Sequence, residues 1–306
     1  MKKVEHIKIS KDMKVNDLVL AMKKSGVMQA GKLAFAIDIL EEAIKDKDCK
    51  MFFGLAGAMV PGGMKEIILE LINNKWIDVM VTTGANLTHD LGESLGYSHY
   101  QGNEAMNDAK LKEHGYNRIY NSLMPNQIYI GLEKFFKKNF DELSKTKNIR
   151  EFLSKLGELA PKNTIVNACY RNNIPLFCPA LADSGIGLMI WGQIAQGKTT
   201  NVNAFDDLKE ILDIAWTSKK AAVWYVNGGV PKNYIQQAMQ LAPKNALYGV
   251  QITTDREESG GSSGAKLKEG ISWNKMDEKA KFVDLSLDST VALPLITASL
   301  KARFKY

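Results

Sequence analysis

Cysteine is scarce in this chain: Cys49, Cys169 and Cys178 are the only three in 306 residues, and no two of them form a Cys-x-x-Cys pair. That excludes a disulfide framework and a thiolate zinc site, and fits three buried thiols in a reducing compartment. Histidine is almost as sparse, at four. His89 and His99 stand ten apart without a His-x-x-x-His pattern or an acidic cluster, so no metal is expected. No apolar run approaches a membrane span, and the N-terminal lysines lead into Val4-Glu5-His6-Ile7-Lys8 instead of a signal-peptide core. A soluble cytoplasmic protein, with no membrane and no nucleic acid among its partners, is the expectation. Gly-x-Gly-x-x-Gly does not occur, and no low-complexity linker divides the chain.

What is present is a large apolar fraction, 45% of residues, enough to bury a sizeable core. Charge is nearly balanced, with 40 basic and 34 acidic residues for a net +6. Lysines such as Lys134, Lys137, Lys138, Lys145 and Lys147 share a helical stretch with acids and read as solvated surface. A polycationic substrate would be repelled by the global charge and would need local carboxylates and aromatic rings.

Residues 16–46 carry Leu18, Val19, Met22, Leu33, Ala36, Ile37, Leu40 and Ile44 at helical spacing, predicting two amphipathic helices in an N-terminal segment of about 1–46. Met51-Phe52-Phe53-Gly54 then reads as a strand, followed by the Pro61-Gly62-Gly63 loop and a helix through Ile67, Ile68, Leu71 and Ile72. Asp78 to Thr83 reads as a second strand, breaking at Gly84. After a less regular stretch at 96–128 and a charged helical region near 131–158, strands are predicted at 174–179, 221–226 and 248–252. Repeated β-loop-α units predict an α/β fold, a Rossmann-like parallel sheet flanked by helices in one domain spanning 1–306. Ligands bind such sheets beyond the carboxyl ends of the strands, where small and acidic residues gather here. Asp183 and Asp288 lie there and could hold a ribose hydroxyl, although each alone is more often a cap or turn residue. Trp76, Trp191, Trp216 and Trp224 are expected in the core.

The segment Gly260-Gly261-Ser262-Ser263-Gly264-Ala265, followed by Glu269 through Lys275, brings an acid, an indole and a lysine within seven residues. An uncharged lysine amine attacks carbonyls and imines. Trp273 could supply an apolar wall and a cation–π face, and Glu269 could hold an ammonium.

In this order, these loops resemble deoxyhypusine synthase and its homologues, which include homospermidine-forming enzymes. The resemblance runs from about residue 16 to 300. It rests on Gln29-Ala30-Gly31-Lys32-Leu33, Asp78 through Ala85, Pro179-Ala180-Leu181-Ala182-Asp183, Gly228-Gly229-Val230-Pro231-Lys232, and Gly264-Ala265 with Ser272-Trp273-Asn274-Lys275. It implies a homotetramer binding NAD and an amine at subunit interfaces. By motif position, NAD would meet Gly57, Ala58, Met59, Val60, Pro61, Thr83, Gly84, Ala85, Asp183, Gly228, Thr254, Asp255, Asp288 and Ser289. Lys275 falls on the imine-forming catalytic position. Glu269 and Trp273 fall on amine-binding positions, and His89, Asn233 and Ser262 on altered ones. The implied activity is NAD-dependent aminobutyl transfer from spermidine to an acceptor amine, most simply a lysine of the hypusine-bearing translation factor. Leu188 and Ser262 replace aspartates of the family pattern, Asn233 a histidine, Thr88-His89 paired glutamates and Asn274 a glycine. Those departures keep two alternatives open: a homospermidine-type synthase using a free diamine, and a non-catalytic homologue that binds NAD or a polyamine.

Overall fold

The computed structural model describes residues 1–304. In chain order the first elements are α1 (Val15–Ser25), α2 (Met28–Lys45), β1 (Cys49–Leu55), α3 (Lys65–Asn73), β2 (Val79–Thr82) and α4 (Gly84–Ser94). The middle of the chain carries β3 (Tyr100–Gln101), α5 (Asp108–Glu113), β4 (Tyr116–Ile119), β5 (Ser122–Pro125), α6 (Gln127–Leu143), α7 (Ile149–Leu159), α8 (Ile165–Asn172), β6 (Leu176–Phe177) and α9 (Gly185–Ile194). The last elements are α10 (Phe205–Thr217), β7 (Lys220–Val226), α11 (Gly229–Leu241), β8 (Ala246–Ile252), β9 (Met276–Leu285) and α12 (Ser289–Arg303). Two 3₁₀ turns, Glu257–Ser259 and Leu267–Trp273, lie between β8 and β9.

The main sheet has the strand order β6-β2-β1-β7-β8-β9. β1 runs parallel to β7, β7 to β8, and β8 to β9. The order makes β1/β7 the switch point: the chain adds β2 on one side of β1 and later returns to lay β7 on the other. Leu55 pairs with Val226 there, so the two carboxyl ends lie level. β1 is buried except at Lys50 and β2 throughout, which is why both read as unbroken apolar runs.

The chain divides into two compact units: residues 1–55, 76–81 and 209–306, and residues 56–75 and 82–208. In the first, α2 packs on β1, β8 and β9, and α1 and α12 pack on α2. Phe52, Phe53, Trp224, Ile37 and Leu40 fill its core. In the second, α4 packs against α6, α8 and α9. A buried ion pair stands among these helices. Lys65 Nζ lies 3.1 Å from Asp90 Oδ1 and donates to Ser94 Oγ at 2.7 Å, while Asp90 Oδ2 accepts from Ile165 N at 2.6 Å.

Three sequence expectations are revised. Residues 96–128 are not merely irregular, since they hold an antiparallel sheet of order β3-β5-β4. Its strands, of two to four residues, are too short to show alternation. The strand expected at 174–179 is only Leu176–Phe177, because Pro175 and Pro179 flank it and proline cannot donate to a ladder. Trp76 and Trp224 are in the core, but Trp191 is 66% and Trp216 59% exposed. In α9 only Ile186 and Gln193 are buried, leaving Leu188, Trp191 and Ile194 on its solvent side. A helix that is apolar all round gives no sequence signal for which face is covered.

Candidate active site

Lys275 is fixed by its backbone. Its N–H donates to Gly270 O at 2.8 Å and its carbonyl accepts from Ala246 N at 3.3 Å, tying it to the 3₁₀ turn and to the start of β8. Asn274, immediately before it, closes that turn with φ +56°. Glycine adopts this left-handed conformation freely and asparagine is among the few side chains that tolerate it, so the exchange noted in the sequence preserves the backbone path. The Lys275 ammonium stands 4.9 Å from the centroid of the Trp273 ring.

Both residues line a cavity of about 480 Å³ within the first unit. Glu269, Ser262 and Asn233 line it too, so five sequence-selected side chains are brought together. Glu257 and three glutamines of α11, Gln236, Gln237 and Gln240, share the lining and carried no sequence signal of a site. Two carboxylates, Glu257 and Glu269, share this lining with one lysine, Glu257 also standing 4.0 Å from Lys266 Nζ. Such a local balance can hold an amine against the positive charge of the whole chain.

The loop 260–265 forms another stretch of the lining, through Gly260, Gly261, Ser262 and Ala265. Ser262 Oγ donates to Gly229 O at 3.3 Å. A Cβ on Gly228 would lie 2.3 Å from Ser263 Cα, so the glycine permits the start of α11 to meet this loop. Beneath the loop is Lys232, 1% exposed, whose ammonium donates to Ser262 O at 2.5 Å and to Ala265 O at 2.7 Å. Burial pushes this lysine down to about 8, with Asp284 and Glu269 pulling the other way. Lys232 was overlooked in the sequence, although a signal exists: it falls three and seven residues before Ile235 and Met239, on the buried stripe of α11.

The remaining candidates of the first unit follow strand ends. Gly228 follows β7, Thr254 and Asp255 follow β8, and Asp288 and Ser289 follow β9. Asp255 also lines a second cavity of about 630 Å³ with Arg256, Glu257, Glu258, Lys266 and Ser286. Asp288 caps α12, its Oδ1 accepting from Thr290 Oγ1 at 2.5 Å and from Thr290 N at 2.7 Å, and these bonds, the hydroxyl's foremost, hold its carboxyl below the usual range. Ser289 Oγ donates to Asn227 Oδ1 at 3.1 Å.

In the second unit, Gly57, Ala58, Met59, Val60 and Pro61 form the loop after β1, and Gly57 has φ +78°. Thr83 caps α4 by accepting from Asn86 N, with Gly84 and Ala85 in the first turn. Asp183 is exposed beside Ser184, the cap of α9. The two helix starts meet: a Cβ on Gly84 would lie 2.5 Å from Ser184 Cβ, and Thr88 Oγ1 accepts from Ile186 N at 3.1 Å. His89, on the same helix, is within 2.9 Å of His99, Nδ1 to Nε2, and His99 Nδ1 bonds Glu93 at 2.7 Å. Sequence spacing gave no hint of this chain of three. Burial, helped by His99, pushes His89 down to about 4.

Parallel strands ending in glycine loops and capped helices, together with a lysine-bearing, carboxylate-lined cavity, define a Rossmann-like α/β protein equipped for amine chemistry. The chain belongs to the deoxyhypusine synthase family, whose enzymes transfer aminobutyl groups; the family model "Deoxyhypusine synthase" matches residues 17–300. "Probable deoxyhypusine synthase 1" of Methanosarcina mazei is 41% identical over 302 residues, 98% of this chain and 95% of that protein. "Probable deoxyhypusine synthase 2" of Archaeoglobus fulgidus is 38% identical over 288 residues, 91% of this chain and 95% of that protein. Among solved structures, "a putative deoxyhypusine synthase from Entamoeba histolytica" shares the fold with a TM-score of 0.65 at 18% identity, covering 98% of this chain and 97% of that one.

Proposed function

We propose that this protein uses NAD to move an aminobutyl group from spermidine or a related polyamine, through an imine on Lys275, to an acceptor amine. The observation that carries the reading is the Lys275 amine facing Trp273 in a cavity that also holds Glu269 and Glu257. The residues assigned to NAD suit a dinucleotide. Within each unit, taken by itself, they follow the ends of strands, and several open helices. Asn86 Oδ1 is a buried acceptor without a partner in the first turn of α4, beside Thr83, Gly84 and Ala85. Bound NAD would supply one piece of chemistry, the acceptance and return of a hydride.

The protein's own groups account for the rest. Glu269 holds an ammonium of the donor, and Trp273 covers the reacting carbon and keeps out the water that would hydrolyse an imine. Once the donor's C–N bond has been oxidised, Lys275 attacks as the free amine, expels one amine fragment and retains the aminobutyl group as its own imine. The acceptor amine then displaces Lys275. A protein lysine of the hypusine-bearing translation factor is the simplest acceptor. Ser262 and Asn233 on the cavity wall favour a second reading, in which a free diamine is the acceptor, because they leave neutral groups where the family pattern has an aspartate and a histidine. The exposed apolar side chains Leu188, Trp191 and Ile194 of α9 support assembly as a homo-oligomer, a tetramer by the family resemblance.

Borohydride trapping tests the reading. Protein incubated with NAD and spermidine should yield a reduced adduct on Lys275, and Lys275→Arg should yield none. Failure of the wild type to form an adduct with spermidine, homospermidine or putrescine would sink it. Adding either acceptor separates the two acceptor readings by product.

A further inference from the structure

Lys232 is a buried lysine outside the sequence-selected site, and it does not line the Lys275 cavity. Its surroundings form a polar layer under the cavity wall. Gln251 Nε2, from β8, donates to the same Ala265 carbonyl at 2.9 Å. Asp284 Oδ1, from β9, accepts from Leu267 N at 3.1 Å, and burial raises this carboxyl while Lys266, Lys232 and Lys32 oppose the shift. Three neighbouring elements, α11, β8 and β9, therefore reach up to one short segment, Ser262–Leu267, and bond its backbone. The segment is also held sideways. A Cβ on Gly264 would lie 2.1 Å from Arg256 O, and Gly228 admits Ser263.

Burying an ammonium carries a desolvation cost that a well-packed apolar chain would avoid, so a buried charge is weak evidence of a stability role. What this one does is geometric. It bonds two carbonyls three residues apart in sequence, which fixes both the position and the curvature of the loop between them. That loop lines the cavity that also holds Lys275, contributing Ser262 and Ala265 to its wall.

We infer that Lys232 is a positioning residue for the chemistry at Lys275: through Ser262 O and Ala265 O it holds the 260–265 loop at the spacing the reacting amine requires. It acts through the loop and touches no reactant. Its link to catalysis rests on the reading of Lys275 as the imine-forming amine, whereas its hold on the loop does not.

The test compares full-length wild type, Lys232→Met and Lys232→Gln by amide hydrogen exchange, by thermal unfolding, and by the rate of borohydride-trapped adduct on Lys275 against spermidine concentration with NAD saturating. Lys232→Met should speed exchange in residues 261–267 but not in β7 or β8. It should also lower the limiting trapping rate by about 100-fold, the scale of a misplacement near 1 Å. Lys232→Gln, which keeps two N–H donors, should recover part of both, and it serves as the probe if the methionine variant does not fold. Unchanged exchange at 261–267 would overturn the inference, as would an increase spread evenly through the sheet, the mark of general destabilisation. Normal trapping by a variant whose loop has loosened would overturn the catalytic half. If the wild type itself gives no adduct, the proposed function fails, and the exchange data alone still decide whether Lys232 holds the loop.

Discussion

His89 and His99 share a hydrogen bond of 2.9 Å between Nδ1 and Nε2, and Glu93 holds the far side of His99 at 2.7 Å. Where a neutral His99 donates from Nδ1 to Glu93, its Nε2 accepts from His89 Nδ1, and His89 keeps the lone pair of Nε2. In that tautomer His89 is a neutral acceptor at Nε2. Burial keeps its folded value near 4, against an ordinary 6.5. Between those values the unfolded chain binds a proton that the folded one does not, so the His89 contribution makes stability rise with pH from about 4 to 6.5. Replacing His89 by glutamine should remove that slope: relative to wild type the variant gains stability as pH is lowered from 6.5 to 4, measured by urea unfolding at successive pH values.

Asp90→Ala leaves the Lys65 ammonium buried without its carboxylate and the Ile165 N–H without its acceptor. The expected loss is about 3–5 kcal/mol, read from urea or thermal unfolding. A Lys65→Met, Asp90→Leu pair should recover much of it, since the cost lies in the uncompensated charge.

Gly228→Ala should displace the loop that walls the cavity, because the new methyl would meet backbone and not a mobile side-chain tip. A stability loss of about 1–3 kcal/mol is expected from this overpacking. The adduct yield on Lys275 should fall with it, and a variant equal to wild type in both measurements would contradict the geometry.

Glu269→Gln keeps the shape of the side chain and removes its charge. Loss of a charge-assisted hydrogen bond to an ammonium is worth about 1.5–3 kcal/mol. The half-saturating spermidine concentration should therefore rise about 10- to 100-fold. The wild type should bind more weakly as salt is raised, and the variant should show a flatter salt dependence.

Trp191→Glu places a charge in the exposed apolar stripe of α9. If that stripe is covered by another copy of the chain, light scattering coupled to gel filtration should show a smaller assembly than the wild type forms. An identical mass would remove α9 from the interface.

Much of the fold was legible because buried parallel strands announce themselves. Met51-Phe52-Phe53 and Ala221 through Val226 have almost no polar positions, and each ends in residues suited to a turn. The antiparallel strands Tyr100–Gln101, Tyr116–Ile119 and Ser122–Pro125 were not legible, being short and partly exposed. The exposed Trp191 was misjudged because hydrophobicity reports a wish for cover without saying what provides it.

The sequence by itself determined the local grouping on which the proposed chemistry rests: a lysine two residues after a tryptophan and six after a glutamate, set beyond a series of strands whose ends carry glycine and aspartate. These are local facts, and short spacing survives folding. Only the tertiary structure decided what shares a cavity with that lysine. Lys232 lies 43 residues before Lys275, and yet its buried ammonium fixes the wall of the same cavity. His99 likewise reaches His89 only because the chain beyond α4 turns back on it. Pairings of this sort depend on where separate elements come to rest, which side-chain identity along one strand or helix does not encode.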